Sequence, residues 1–118
     1  MRRPKTLPPA ELTPIAVEVL LSLAGGPLHG YGIKLDIERR TAGELNLGSG
    51  TLYQAIQRLE REGLIAEGPA SDGKEDPRRG RTYRLEPHGR TSLEQHLRRL
   101  TRTLADARAR RILPSAGS

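Results

Sequence analysis

The chain has 118 residues, with 20 Lys+Arg against 14 Asp+Glu for a formal charge of +6, no Cys, no Trp, no Phe and three Tyr. That length accommodates one small domain with a thin, aromatic-poor core, and the lack of cysteine excludes thiol catalysis, disulfide frameworks and Cys-based zinc sites. A pI near 10.5 points to a polyanionic partner, nucleic acid or an acidic membrane surface, without choosing between them.

Residues 1–11, MRRPKTLPPAE, carry Arg2, Arg3 and Lys5 against Glu11 alone, and their prolines block a helix, so they read as a loose basic arm. Followed by IAVEVLLSLAGG, the arm mimics a secretory signal. Glu18 interrupts the apolar run, however, and ordinary soluble sequence continues beyond it, so we expect a cytoplasmic protein with no signal. No stretch approaches the ~18 apolar residues of a membrane span, and no membrane partner is expected.

Thr13 before Pro14 is a helix-start signal, and Gly25, Gly26 and Pro27 stop the helix after Ala24. Within it, Ile15, Val17, Val19, Leu20, Leu21 and Leu23 make a stripe so wide that burial on most sides is expected. The next segment, HGYGIKLDIERRTAG, is ambiguous. Tyr31, Ile33, Leu35 and Ile37 alternate with polar residues or glycine as in a half-buried strand. The run into Glu38, Arg39 and Arg40 favours a helix with Gly43 as its stop. As a helix it carries two apolar stripes, Tyr31/Leu35 and Ile33/Ile37, on nearly opposite sides, which would suit a helix held between two others.

A clearer helix starts at Gly48 or Ser49 and ends at Gly63. Leu52, Ile56 and Leu59 line one face with Ala55 beside them, while Gly50, Gln54, Gln57, Arg58 and Arg61 lie opposite. Then LIAE and RTYRLE flank a polar stretch, which predicts a hairpin with a long tip over about 68–81 and basic residues gathered on its return. Pro87 opens a last helix to about Leu113. Its Leu93, Leu97, Leu100 and Leu104 recur at spacings of four, three and four, a narrow heptad seam that calls for a partner helix. Residues 114–118 read as a tail.

Three helices, a hairpin with a basic tip and a long helix make a mainly α chain with a small β-hairpin: a winged helix-turn-helix domain over 12–86 plus a C-terminal dimerisation helix over 87–113. That order suits DNA, because a helix fits the major groove and a basic hairpin can follow the backbone. GGPLHGYGI, LNLGSGTLYQAIQRLEREGLI and RGRTYRLEPHGR, in order over roughly residues 12–90, resemble the signature segments of PadR-type transcriptional regulators. The resemblance implies a homodimeric, usually repressing regulator of double-stranded DNA. Its third helix would enter the major groove, its wing would touch backbone or minor groove, and its last helix would pack on the other subunit. Several positions depart from the family pattern: Ser49 and Gln54 stand where Pro is frequent, Glu86 replaces the usual Thr ahead of the last helix and weakens its cap, and the order around Lys34 and Leu35 is reversed.

The candidate DNA contacts follow from chemistry and placement. Gln54 and Gln57 can pair with adenine and Arg58 with guanine. Ser49, Gly50 and Thr51 present the free amides of a helix start, which suit a phosphate. Tyr53 and Lys34 are expected on the backbone, and Arg78, Arg79 and Arg81 on phosphates or in a minor groove. Leu93, Leu97, Leu100 and Leu104 are the expected dimerisation residues. His29, His88 and His96 lack metal-ligand spacing, and no nucleophile with its base, carboxylate pair or phosphate-cradling loop stands out, so neither a metal, a cofactor nor an enzyme is expected. Relatives of this type commonly answer a small-molecule effector, but no residue here names one. An RNA-binding or protein-interaction adaptor built on the same winged module is the competing reading. The helix over 49–63 is electrically neutral, while residues 68–84 carry +2 and residues 87–118 carry +5.

Overall fold

The computed structural model describes residues 8–68 and 81–114. Helix α1 (Pro14–Ala24) leads to a two-residue strand β1 (Leu28–His29), then α2 (Gly30–Arg40), α3 (Ser49–Arg61), strands β2 (Ile65–Glu67) and β3 (Thr82–Leu85), and a long α4 (Pro87–Ala109). Arg78 and Arg79, with the rest of the hairpin tip and the first seven and last four residues, lie outside the described residues.

Helix α1 is the centre of the packing. It starts as the sequence indicates, with the Thr13 hydroxyl accepting from the Ala16 amide and Pro14 in the first turn. Val19 and Leu20 are fully buried and Leu23 nearly so, because α1 packs against α2, α3, α4 and β3 at once. The apolar face of α3 (Leu52, Ile56, Leu59) closes the core from one side and Ile33 and Ile37 of α2 from another. Helix α3 ends at Gly63, whose φ of +76° is the left-handed position glycine accepts without strain, and Leu64 then folds back into the core beside Leu59.

Two expectations about the elements are corrected and a third is extended. The expected hairpin is present and gains a third strand, giving the antiparallel order β1-β3-β2, with Leu28 opposite Tyr83, His29 opposite Thr82 and Ile65 opposite Leu85. A two-residue strand has no period to read, and it exists because β3 offers an edge. Helix α2 is not held between two others: Ile33 and Ile37 are buried, but Tyr31 is 63% and Leu35 43% exposed. Helix α4 stops at Ala109 rather than Leu113, because Arg111 takes a left-handed φ of 63° and the amides of Arg111 and Ile112 turn back to the carbonyls of Arg108 and Ala107.

Within residues 8–11, expected as part of a loose arm, Ala10 is seated on the body while Pro8, Pro9 and Glu11 stay exposed. The Ala10 amide donates to the buried Ser92 hydroxyl of α4 at 2.9 Å, Ala10 and Leu12 rest on the core, and Glu11 lies 3.6 Å from Arg99. Helix α4 itself is seated by a close approach. The Glu86 amide donates to the Leu64 carbonyl, and Gly89 passes so near that a Cβ there would collide with that same oxygen.

A polar clamp joins α1 to α2. Arg40 donates from Nε to Asp36 and from its two Nη atoms to the Glu18 carboxylate, the Glu18 carbonyl and the buried Ser22 hydroxyl, all within 2.8 Å. The hydrogen bond from Arg40 is the main reason the Asp36 carboxyl is held below its ordinary range. A depressed carboxylate pKa contributes stability that is present above the unfolded value and lost as pH falls through the folded one.

Two expected outcomes follow from this packing. Gly89→Ala should destabilise the domain by roughly 1–3 kcal/mol, the usual cost of forcing atoms into a closed contact, visible as a lower thermal midpoint; an unchanged midpoint would contradict the close approach. Asp36→Asn should cost roughly 1 kcal/mol near neutral pH. In urea titrations across pH, that difference from the native chain should vanish as the pH falls below the ordinary aspartate range.

Candidate nucleic-acid interface

The candidate residues on α3 are sorted by its burial. Because Leu52, Ile56 and Leu59 are taken by the core, the helix turns Thr51, Gln54, Gln57, Arg58 and Arg61 outward. These five line an open groove of about 440 Å³ whose other wall is Thr13 and Ile15 at the start of α1. The structure therefore brings Thr51, Gln54, Gln57 and Arg58 together on one continuous, solvent-facing surface. The contribution of α1 to that surface was not foreseen; no local pattern in the sequence reports which helix end lies beside which.

The start of α3 is where a phosphate seat was expected. Gly48 occupies the cap position, no side chain caps the helix, and its first turn holds no acidic residue. An α-helix leaves its first amides without an internal partner, so those of Ser49, Gly50 and Thr51, all exposed, are oriented to receive an anion, which the helix dipole also favours.

Tyr53 has a structural use beside its expected one. Its ring lies over the beginning of α2, and a Cβ at Gly30 would stand 2.5 Å from the Tyr53 hydroxyl. Gly30 thus lets α2 and α3 approach, while Tyr53 remains 41% exposed at the rim. Tyr83 is an anchor: it is 3% exposed in the middle strand, and burial pushes its hydroxyl pKa up.

Two candidate contacts are already engaged within the chain. Lys34 pairs with Glu38 one turn on, and the Arg58 Nε donates to Glu62 Oε2 at 3.1 Å. The spacing of four made both pairs legible in the sequence. At half-exposed positions such pairs are worth about 0.3–0.5 kcal/mol, too little to withhold either cation from a phosphate or a base. At the wing, Arg81 is exposed and lies 3.5 Å from Glu67 across the hairpin, and Arg84 donates to the Glu67 carbonyl. His29 is joined through Nδ1 to the buried Thr82 hydroxyl at 3.2 Å, tying the start of α2 to the wing base.

The leucine seam divides. Leu93 is buried in the chain's own core and Leu97 packs against that core, whereas Leu100 is 41% exposed and Leu104 half-buried. Among the described residues no group of three or more His, Asp and Glu is placed to hold a metal ion, and no helix is long and apolar enough to cross a membrane.

Comparison with known proteins agrees with this geometry. The chain is 39% identical over 84 residues to an uncharacterized 37.1 kDa protein in transposon Tn4556 of Streptomyces fradiae, a match over 71% of this chain and 22% of that protein. This chain thus spans only about a fifth of the length of that relative. Among solved structures it is similar to a transcriptional regulator from Clostridium thermocellum, with 26% identity, a TM-score of 0.64, and coverage of 78% of this chain and 86% of that one. The fold is also that of Bacillus subtilis PadR in complex with operator DNA, at 22% identity and a TM-score of 0.58 over 70% of this chain and 46% of that one. The sequence matches the family described as "Transcriptional regulator PadR-like family" over residues 19–95, more than half of its length. With three helices around a small antiparallel sheet and a long helix after it, the chain belongs to the PadR-like family of transcriptional regulators.

Proposed function

We propose that this chain is a sequence-specific regulator of double-stranded DNA that acts as a homodimer and represses transcription in the cytoplasm. The observation that carries the reading is the joint exposure of Thr51, Gln54, Gln57, Arg58 and Arg61 along one open groove on the outer side of α3. A helix presenting amides and guanidiniums fits the major groove, where Gln pairs bidentately with adenine and Arg with guanine. Ser49, Gly50, Thr51, Tyr53 and Lys34 then grip the flanking phosphates, and Arg81, together with Arg78 and Arg79 outside the described residues, grips backbone or minor groove beside the wing. Bacillus subtilis PadR, which shares the fold, was solved with operator DNA, and this chain's net charge of +6 favours the same polyanion.

Dimerisation is assigned to the outer part of α4. The helix has 23 residues and is about 34 Å long at ~1.5 Å per residue. Its first turns are spent on the protomer's own core through Gly89, Ser92 and Leu93. Past Leu97 the same stripe continues with Leu100 and Leu104, the half of the seam that a second copy would cover. Two such copies present their α3 helices to major-groove faces about one helical turn apart on a roughly palindromic site. An effector, if the regulator answers one, is a small molecule whose class no side chain here specifies.

Selection from a random duplex pool tests the reading directly: one symmetric sequence should be enriched and should be bound orders of magnitude more tightly than random duplex at physiological salt. Enrichment of nothing, with tight binding to structured RNA instead, would replace it with the adaptor reading. On the selected site, Gln54→Ala should lose roughly 1–3 kcal/mol of preference at one base pair. Arg81→Ala should weaken all sequences alike and reduce the salt slope by about one. Leu100→Asp with Leu104→Asp, both beyond the part of α4 that packs on the body, should sediment as a folded monomer; a double variant that remains dimeric would remove these leucines from the interface.

A further inference from the structure

Resting on the proposed reading of DNA, we infer that Glu62 is a specificity-determining residue that acts through Arg58: it holds the guanidinium in the orientation that reads guanine. Arg58 and Glu62 lie four apart, Arg58 in the last turn of α3 and Glu62 at its C-cap. The bond between them runs from Arg58 Nε to Glu62 Oε2 at 3.1 Å, and the choice of nitrogen carries the argument. A guanidinium has five N–H donors in a rigid plane, one on Nε and four on the two Nη atoms. Engaging Nε on a carboxylate fixes the plane and leaves both Nη atoms at the open end of the fork, the arrangement that matches O6 and N7 of a guanine in the major groove.

Arg58 borders the open groove shared with Gln54 and Gln57, and on its other side a small cavity of mixed lining, Glu11, Thr13 and Glu62 beside Leu12, Ala16 and Leu59. Its side chain is 62% exposed, so the Glu62 carboxylate is the contact that orients its head. A fork ordered before binding loses less rotamer freedom when it meets a base, so the pairing raises discrimination and not merely affinity. The same carboxylate sits beside the phosphate-facing surface and repels a polyanion, so it opposes non-specific binding. Removing it should move specificity and background affinity in opposite directions, which a purely structural cap would not do.

The test uses the full-length protein and the duplex selected from a random pool, with dissociation constants measured for every single base-pair substitution and for random duplex, on the native chain, Arg58→Ala, Glu62→Ala, Glu62→Gln and the double alanine variant. Arg58→Ala should abolish the preference for one G·C pair, a preference of roughly tenfold. Glu62→Ala should reduce that same preference about twofold, the equivalent of a ~0.3–0.5 kcal/mol pair, while leaving other positions unchanged and tightening random duplex. Glu62→Gln, which keeps an acceptor for Nε, should retain more of it, and the double variant should lose no more than Arg58→Ala alone. Should Glu62→Ala leave that position's preference intact, or weaken every sequence equally, the inference is overturned although the protein remains a sequence-specific binder. If Arg58→Ala changes no base preference, the inference falls at its first step. A native chain that selects no sequence defeats the proposed function itself.

Discussion

Everything in this molecule leans on α1. A chain with no Phe, no Trp and three Tyr has few large side chains with which to build a core, and it compensates by placing one short aliphatic helix where four elements meet. Val19, Leu20 and Leu23 touch the inner faces of the surrounding elements, and each of those elements has only a narrow stripe to contribute. A stripe of three or four aliphatic residues stabilises a helix only when it lies against another apolar surface, so removing α1 would leave α2, α3 and α4 without a shared partner. Polar contacts around α1 fix direction rather than supply burial. Arg40 ties α2 to Glu18 and Ser22 at one side, and the Thr13 cap sets where the helix begins beside α3.

That centre decides what the outer surface can be. Because α3 gives Leu52, Ile56 and Leu59 to the core, the residues between them have no choice but to face outward, and the start of α1 supplies the far wall of the groove they line. The charge distribution adds a division of labour. The α3 segment over 49–63 is neutral and the surplus lies in residues 68–84 and 87–118. In the proposed function, long-range attraction to a polyanion would come from the wing and the last helix, and discrimination from short-range chemistry along α3. Salt bridges at spacing four hold Lys34 and Arg58 in the free protein at little energetic cost.

Helix α4 shows one stripe serving two environments. Its first turns sit on Leu64 through the bare backbone of Gly89 and receive the Ala10 amide on Ser92, so the segment ahead of α1 is pinned to the base of the long helix. Farther along, the same leucine spacing continues with Leu100 and Leu104, which among the described residues lie outside the core. In the proposed dimer, a change in how a second copy meets Leu100 and Leu104 would bear on a helix whose root touches both α1 and the residues leading into it.

Local periodicity and end signals determined most of the elements: Thr13-Pro14 for the start of α1, the Leu52/Ile56/Leu59 stripe and Gly63 for α3, and Pro87 for α4. They are readable because they depend on residues within a few positions of one another. The polar face of α3, from Gln54 to Arg61, was legible for the same reason. What depends on distant partners was not. Leu28 and His29 form a strand only because β3 offers its edge, the Tyr31/Leu35 stripe is exposed because none of the described residues covers that side of α2, and Ala10 is seated by Ser92, far along the chain. Arg111 ends α4 early in a conformation its side chain does not favour. The sequence by itself determined which residues form the polar outer face of α3; the tertiary structure decided that Thr13 and Ile15 would face them, because only packing around α1 specifies which helix end lies next to which.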